Sequence, residues 1–194
     1  MKNISICMVL AAVLFCATNA WAIKTQTVTV NATVPTVATG LTVGISKVTG
    51  TVWTAGQTSI GFGSLVYNSL TNIFLPDSYY AVDIGVTDNT TTAWTVTHTR
   101  ASLLSGTNSL DSKVNVSFNK QTSSTVGTQL KYTSFGNSNS IAFTKATLLG
   151  GWLRIYYGIG TGDPAKPDAS GVTPIGLDTP AGTYTGSVTI TLAP

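Results

Sequence analysis

The sequence predicts an all-β protein built from antiparallel strands. Apolar and polar side chains alternate with a period of two along most of the chain, which is the pattern of a strand with one buried and one exposed face. Clusters of Gly, Asn, Asp and Ser, which favour turns, separate these stretches. We find no helical 3.6-residue period with capping residues longer than a turn or two.

The chain begins with a segment typical of a secretory signal peptide. Residues 1–22 combine a basic start, an apolar run and a small-residue ending (Lys2, Ile6 to Ala17, and Ala20-Trp21-Ala22). We therefore expect cleavage after Ala22, since the run is too short for a stable membrane span. A lipoprotein signal acylated at Cys16 is the alternative, although bulky Phe15 stands where such a signal has a small residue.

The composition of the mature chain indicates one secreted domain. Removing 22 of 194 residues leaves 172, and both cysteines, Cys7 and Cys16, lie in the signal. Ten Lys and Arg less Lys2 leave nine against seven Asp, a net charge of +2 with no basic cluster for nucleic acid. With 43% hydrophobic and 9% charged residues the chain is not disordered. Without disulfides, a core or assembly with other chains must hold the fold.

Five stretches carry the strand pattern most clearly: 79–87, 93–99, 113–118, 152–159 and 183–192. Each is predicted to be half-buried, with Asp83 and Arg154, for example, on the exposed faces of their strands. Turn signals lie at 87–90, 105–109, 136–140 and 160–171. This spacing predicts an antiparallel β-sandwich of immunoglobulin-like shape.

In the segment KTQTVTVNATVPTV, residues 24–37, apolar and small polar side chains alternate residue by residue up to Pro35. Pro35 has no backbone N–H to donate to a strand ladder. One face carries Gln26, Val28, Val30, Ala32 and Val34. Two interpretations are open. The segment is either an ordinary first strand of its own sheet or a mobile arm that adds a strand to a different subunit.

The two ends of the chain resemble those of bacterial chaperone–usher pilins. The ending Ala181-Gly182-x-Tyr184-x-Gly186-x-Val188-x-Ile190-x-Leu192 is similar to their C-terminal strand, and it leaves open what covers the free edge of that strand. The N-terminal TVTVNATVPTVATGLTV is similar to their leader arm. The resemblance is closest to the alternate, alpha-type family of colonisation factor antigens and cable pili. It covers about 30 residues at the termini, while the middle matches only in style.

This resemblance implies an incomplete immunoglobulin-like sandwich that the N-terminal arm of the next subunit completes. Residues 23–36 would be the donor-strand extension and 37–194 the pilin domain. The implied donor side chains are Val28, Val30, Ala32 and Val34, and the implied acceptor groove is lined by Tyr184, Val188, Ile190 and Leu192. The Pro194 carboxylate would anchor in a periplasmic chaperone.

The implied partners are other copies of this chain or related pilins, the chaperone, an outer-membrane usher and a host-surface receptor. The implied location is a cell-surface fimbrium reached through the periplasm. Two features depart from classical pilins, which pair two cysteines and often end on a penultimate aromatic residue. The mature chain has no cysteine, which is compatible with the alpha type, and its Leu-Ala-Pro ending leaves the chaperone class open.

The chain offers little chemistry for catalysis. His98, the single histidine, alternates with threonines beside Trp94 and Val96, which predicts a buried or edge imidazole rather than a base. One His without mature Cys or Glu is too few ligands for a transition-metal site, and we expect no cofactor. The carboxylates in and near the long loop are expected to be solvated rather than calcium ligands: Asp163, Asp168 and Asp178.

The aromatic residues leave two interpretations open. Core packing is one, and a sugar-binding platform is the other, formed from Trp53, Trp94, Trp152 and the Tyr pairs at 79–80 and 156–157. The resemblance to pilins implies a structural subunit of a fimbria that serves cell adhesion. The alternative is a self-complete secreted β-sandwich that binds carbohydrate.

Overall fold

The fold is given by a computed structural model, which describes residues 27–33, 41–86, 93–121, 140–145, 152–164 and 168–193. The strands are β1 (Thr27–Thr33), β2 (Leu41–Thr49), β3 (Val52–Gln57), β4 (Ile60–Ser64), β5 (Val66–Asn68), β6 (Ile73–Leu75), β7 (Tyr79–Val86), β8 (Thr95–Arg100), β9 (Leu104–Ser105), β10 (Asn108–Ser109), β11 (Val114–Gln121), β12 (Ser140–Thr144), β13 (Trp152–Ile159), β14 (Ile175–Gly176) and β15 (Thr183–Ala193). A 3₁₀ turn at Asp111–Lys113 precedes β11. Within these ranges no helix is long and apolar enough to cross a membrane.

The strands form three sheets. A five-stranded sheet has the order β11-β13-β7-β2-β3. A seven-stranded sheet follows the path β10-β9-β15-β1-β4, with β8 joining β15 to β12. A small third sheet has the order β14-β6-β5. The predicted all-β fold with antiparallel pairing is confirmed, and among the pairs of the described strands β1–β15 alone is parallel.

The two large sheets contact each other through buried side chains. The Phe62 and Tyr80 rings pack edge to face with centroids 5.4 Å apart, and the Tyr80 hydroxyl donates a 2.6 Å hydrogen bond to the Gly61 carbonyl. His98 lies edge to face on Phe118, with centroids 5.2 Å apart. Apolar residues from both sheets fill the space between these contacts: Val82, Ile84, Val96, Leu153, Ile155, Val188 and Ile190. Burial of each such side chain contributes roughly 1.5–3 kcal/mol to folding.

One predicted turn lies fully within the described residues. The 105–109 turn joins β9 to β10, and Gly106 adopts a φ of +60°, which glycine accepts without a Cβ clash. The 87–90 turn, and the 136–140 turn except for its last residue, lie outside the described residues. The predicted 160–171 region is a connection between β13 and β14, described except at 165–167.

The predicted half-burial is correct for β8 and wrong for β7 and β13. Buried and less buried residues alternate along β8, whereas every residue after the first is buried in β7 and in β13. Asp83 and Arg154, predicted to face water, are 4% and 1% exposed. Asn115 and Ser117 of β11 are also buried. A period of two identifies the residues that share a face, but it does not reveal whether that face is covered.

The buried charges on β7 and β13 form an ion pair. Asp83 and Arg154 are direct cross-strand partners. Arg154 donates from Nε to Asp83 Oδ1 at 2.7 Å and from Nη2 to Oδ2 at 3.3 Å, while its Cζ lies 4.9 Å from the Trp53 ring centroid. Burial opposes the charge, but the hydrogen bonds with Asp83 and Tyr156 and the negative charge of Asp83 together outweigh it, so the pKa of Arg154 is raised. The pair thereby ties the register of β7 to that of β13.

Breaking this pair should be costly. We expect Asp83→Asn to lower the free energy of unfolding by about 3–5 kcal/mol, because it leaves the Arg154 charge buried without its counter-ion. The matched control is Asp77→Asn, which removes the exposed Lys47–Asp77 pair (3.2 Å) and should cost less than about 1 kcal/mol. Urea unfolding of both variants measures the difference. Equal costs would contradict the assignment of the buried pair.

Candidate functional site

The predicted N-terminal arm contains β1, which lies between β15 and β4 of its own chain. Its register with β15 runs from Thr27↔Thr183 to Thr33↔Thr189. On the other side it pairs with β4 from Thr27↔Ser64 to Val30↔Ile60. In this single chain the segment therefore fills a place in its own sheet, as the ordinary-first-strand interpretation predicts. We call this place, bounded by β15 and β4, the β1 position.

Strand β1 is topologically simple to remove. Every other strand that the structure describes follows β1 in the chain, so β1 can leave the sheet without any of them passing through. Its parallel pairing with β15 is also slightly less stable per residue than antiparallel pairing. Departure of β1 would leave the ladders of β15 with β8 and β9 intact and would leave β4 without its ladder partner.

The strand β4 depends on β1 for its ladder. The described sheet ends at β4, whose strand partner there is β1. The register shifts between Val28 and Thr29, opposite Gly63, which has a φ of +64°. This irregularity is a β-bulge, and the two buried side chains of β4, Ile60 and Phe62, belong to the core beside it. Loss of β1 would therefore uncover the ladder of β4 and the core next to it.

The other wall of the β1 position is β15. The predicted groove residues Tyr184, Val188 and Ile190 are buried in the core, and Leu192 packs against it while partly buried. The backbone of β15 pairs on its far side with β8, from Val188↔Arg100 to Ala193↔Thr95, and with β9 at Thr185. Its near side is left for β1.

The backbone register of β1 with β15 locates three of the predicted donor residues. Val28, Val30 and Ala32 lie opposite Tyr184, Gly186 and Val188 respectively. Val34 and Pro194 lie outside the described residues. The structure therefore brings three predicted donor positions next to the predicted acceptor strand, within one chain.

Two local contacts fix β15. The Tyr184 hydroxyl donates a 2.7 Å hydrogen bond to the Pro180 carbonyl just before the strand. At Gly186 an added Cβ would lie 2.9 Å from the Ser102 carbonyl oxygen and 3.0 Å from Leu103 Cδ2. The close approach of the segment after β8 therefore requires glycine here. The sequence motif contained Gly186, but the contact across the fold could not be read from it.

The single histidine is buried, which is one of the two positions, buried or at an edge, that the sequence predicts for it. His98 Nε2 forms a hydrogen bond with the Tyr157 hydroxyl of the opposite sheet. Burial lowers the pKa of His98 from 6.5 to about 4, and the positive charge of Arg100 adds to the effect. The imidazole is therefore neutral at physiological pH.

Most of the candidate sugar-binding rings lie in the interior. Trp94, Tyr80, Tyr156 and Tyr157 are buried, while Trp53 and Trp152 are half-buried. Core packing, the first interpretation, therefore accounts for four of these rings. A sugar in solvent cannot stack on them without a rearrangement of the fold.

The expectation of a solvated carboxylate is wrong for Asp168. Its carboxylate accepts hydrogen bonds from Asn115 Nδ2 at 2.7 Å and from the backbone N–H groups of Thr161 (3.0 Å) and Gly162 (2.8 Å). It thereby fastens the loop after β13 to β11. The partners of the Asp168 carboxylate are N–H donors rather than metal ligands. The part of the chain that the structure describes holds no group of three or more His, Cys, Asp or Glu able to bind a metal ion.

Comparison with protein-family models, with curated proteins and with solved structures found no match to this chain. The resemblance to pilins stays a prediction that depends on the residues at the two ends of the chain. The geometry of the β1 position is the structural feature against which this prediction can be weighed.

A glycine substitution tests the packing that holds β15. We expect Gly186→Ala to lower the free energy of unfolding by about 1–3 kcal/mol, because the new methyl group meets a backbone carbonyl that cannot move freely. Gly61→Ala in β4 is the control, since a Cβ there has no heavy atom within 4 Å, and its effect should stay within about 0.5 kcal/mol. Urea unfolding measures both. A loss in Gly61→Ala as large as in Gly186→Ala would contradict the contact.

Proposed function

We propose that the protein is a structural subunit of a bacterial surface fimbria that serves cell adhesion. Copies would assemble by exchanging residues 25–35, so that the arm of one copy fills the β1 position of the next. The single observation that carries this proposal is that β1 is an N-terminal strand bounded on both sides, by β15 and by β4. In this proposal, pairing within one chain is the state of an isolated subunit.

The physics of an empty β1 position supports such exchange. Without β1, β15 would present an unpaired edge over the seven register positions from Thr183 to Thr189, and β4 would lose its ladder partner. Long unpaired edges are templates for another strand, and uncovered core such as Ile60 and Phe62 adds an unfavourable apolar surface. A strand taken from a second copy removes both costs.

The proposed contact leads to a filament. The arm and the β1 position are different surfaces of the same chain, so each added copy offers a new position to the next arm. A heterologous contact that does not close on itself produces an open polymer. A mature chain the size of one domain suits a shaft subunit better than a two-domain tip adhesin.

The immunoglobulin-like shape belongs to the same proposal. Two features support it: the contacts between the two large sheets and the hydrogen bond from Tyr184 at the start of β15 back to Pro180. Such a bond is similar to the tyrosine corner found in immunoglobulin-like domains. In the pilin comparison β15 would be the last strand of the incomplete sandwich, and β1 would occupy the missing place.

The proposal includes the partners that the resemblance implies. A periplasmic chaperone would keep the β1 position open in a newly secreted subunit, with Pro194 as its anchor, and an outer-membrane usher would catalyse exchange and export. A host-surface receptor would be the adhesion target.

A self-complete secreted β-sandwich is the second candidate. The observation that favours it is the pairing of β1 within its own chain. Carbohydrate binding by such a domain has less support, since four of the candidate rings are buried. A mature chain that stays monomeric without a chaperone and binds glycans would favour this candidate.

Deletion of residues 23–35 tests the proposed function. We expect the truncated chain to bind the chaperone but to form no fibres, because it has an acceptor and no donor. A synthetic peptide of residues 24–37 should raise the midpoint of its urea unfolding by refilling the β1 position. Electron microscopy and unfolding curves are the measurements. Fibres formed by the truncated chain would refute the arm as connector.

Point variants separate the two faces of the arm. The sequence alternation predicts that Val30 enters the acceptor groove and that Thr29 does not. We expect Val30→Asp to abolish polymerisation, because a carboxylate would be buried without a partner, and Thr29→Asp to leave fibre yield nearly unchanged. Equal loss of fibres in the two variants would contradict the predicted facing of the arm.

A further inference from the structure

We propose that His98 makes the fold acid-sensitive and that mild acidification, by charging this side chain, weakens the hold of β15 on the strand in the β1 position. The first half concerns the isolated chain alone. The second half rests on the proposed strand exchange. The two halves are therefore tested by different measurements.

The surroundings of His98 accommodate a neutral imidazole only. The side chain is 0% exposed and lies between the two large sheets, with Phe118 of β11 against its ring. Its Nε2 bonds to the Tyr157 hydroxyl of β13, and its Nδ1 has no hydrogen-bond partner. A charged imidazolium carries an N–H at both nitrogens and needs an acceptor for each, so protonation leaves one buried donor unsatisfied.

The groups named below that surround His98 do not offer a negative charge to stabilise a protonated imidazole. Tyr157 faces it from β13, and burial raises the pKa of that hydroxyl, which keeps it neutral. Arg100, two residues along β8, is already positive and pairs with Asp111 at 2.8 Å. The cross-strand partners of His98 are Ile190 on β15 and Ile141 on β12, and Phe118 faces it from β11. Of the groups that face His98 or neighbour it on β8, Arg100 carries the charge, and this positive charge opposes protonation of the imidazole.

The sign of the effect follows from linkage. Burial first, and the Arg100 charge second, lower the pKa of His98 from 6.5 to about 4. The unfolded chain therefore binds a proton near pH 6.5, while the folded chain binds it only near pH 4. The titration of His98 therefore leaves the free energy of unfolding unchanged well above pH 6.5. It lowers that free energy as the pH falls from 6.5 to about 4, and it causes no further loss at lower pH.

The acidic groups act in a different pH range. The pKa of Asp77 lies below its usual 3.8 because of hydrogen bonds from Ser78 and Lys47. Burial alone would raise the pKa of Asp111, but hydrogen bonds from Ser102 and Arg100 hold it below the same value. Both carboxylates therefore lose their contribution mainly below pH 4. Among the described groups with a shifted pKa, His98 is the one whose contribution to stability changes mainly between pH 6.5 and 4.

The register connects His98 to the β1 position. His98 is the cross-strand partner of Ile190 on β15, and the preceding residue of β15, Thr189, is the partner of Thr33 at the end of β1. Water can reach a charged imidazole only if the contact between the sheets or the β8–β15 ladder opens. Such opening frees the side of β15 that β8 supports, next to the end of β1, and so lowers the barrier to strand replacement.

The first experiment uses the single histidine of the chain. An NMR titration of the His98 ring follows one unambiguous resonance, and we expect its midpoint below about pH 5. In urea unfolding, the unfolding equilibrium constant should rise roughly 70-fold between about pH 7.5 and pH 4.5. His98→Gln, which stays neutral, should lose most of this rise.

Two results would overturn the assignment. A titration midpoint above about pH 6 would mean that the fold does not resist the charge. An unchanged pH dependence in His98→Gln would assign the effect to other groups. The titration decides the matter even if His98→Gln does not fold.

The second experiment addresses strand replacement. A fluorescent peptide of residues 24–37 is mixed with the mature chain, and its uptake is followed by anisotropy at about pH 7.5 and pH 5. We expect faster uptake at the lower pH in the native sequence and no pH effect in His98→Gln. Equal acceleration in both chains would refute the link to His98. No uptake at either pH would instead refute strand exchange, while the titration would still decide on His98.

Discussion

The seven-stranded sheet depends on the two backbone edges of β15. One edge is occupied by β8 and β9, and the other carries β1, which in turn carries β4. With the β1 position empty, seven residues of β15 would have an unpaired edge and β4 would lose its ladder partner, so an occupied position is favoured. The chain supplies the strand for this position from its own N-terminal segment. A second copy offers the same segment, and this equivalence is the basis for the proposed assembly.

Polar contacts elsewhere in the described residues hold the five-stranded sheet and the start of β15 in place. The five-stranded sheet buries both faces of β7 and β13 and pairs the buried charges of Asp83 and Arg154 there. The Asp168 carboxylate fastens the loop after β13, and the Tyr184 hydroxyl fixes the start of β15. None of these contacts involves β1. Residues 23–194 contain no cysteine, so paired polar groups and apolar burial hold the described fold without disulfides.

The sequence predicted the strands well because their signal is local. Alternation placed 152–159 correctly and placed 79–87 and 183–192 to within one residue of β7 and β15. It could not show that Asp83 and Arg154 lie on a covered face, because coverage depends on segments far away in the chain. The hydrogen-bond partners of Asp168 and the close contact at Gly186 could not be predicted from the sequence for the same reason. Alternation also identified residues 24–37, which contain β1, as a strand without saying whose sheet it joins.

The most direct measurement places an arm from one copy relative to the sheet of another. Chains without ¹⁵N carry a spin label on the cysteine of a Thr25→Cys variant, two residues before β1. They are refolded together with ¹⁵N-labelled chains that lack residues 23–35. We predict paramagnetic broadening in the ¹⁵N-labelled copies confined to the amides of β15 and β4. Labelled copies that fold and show no broadening there, however long the two are mixed, would contradict the exchange of this strand between subunits.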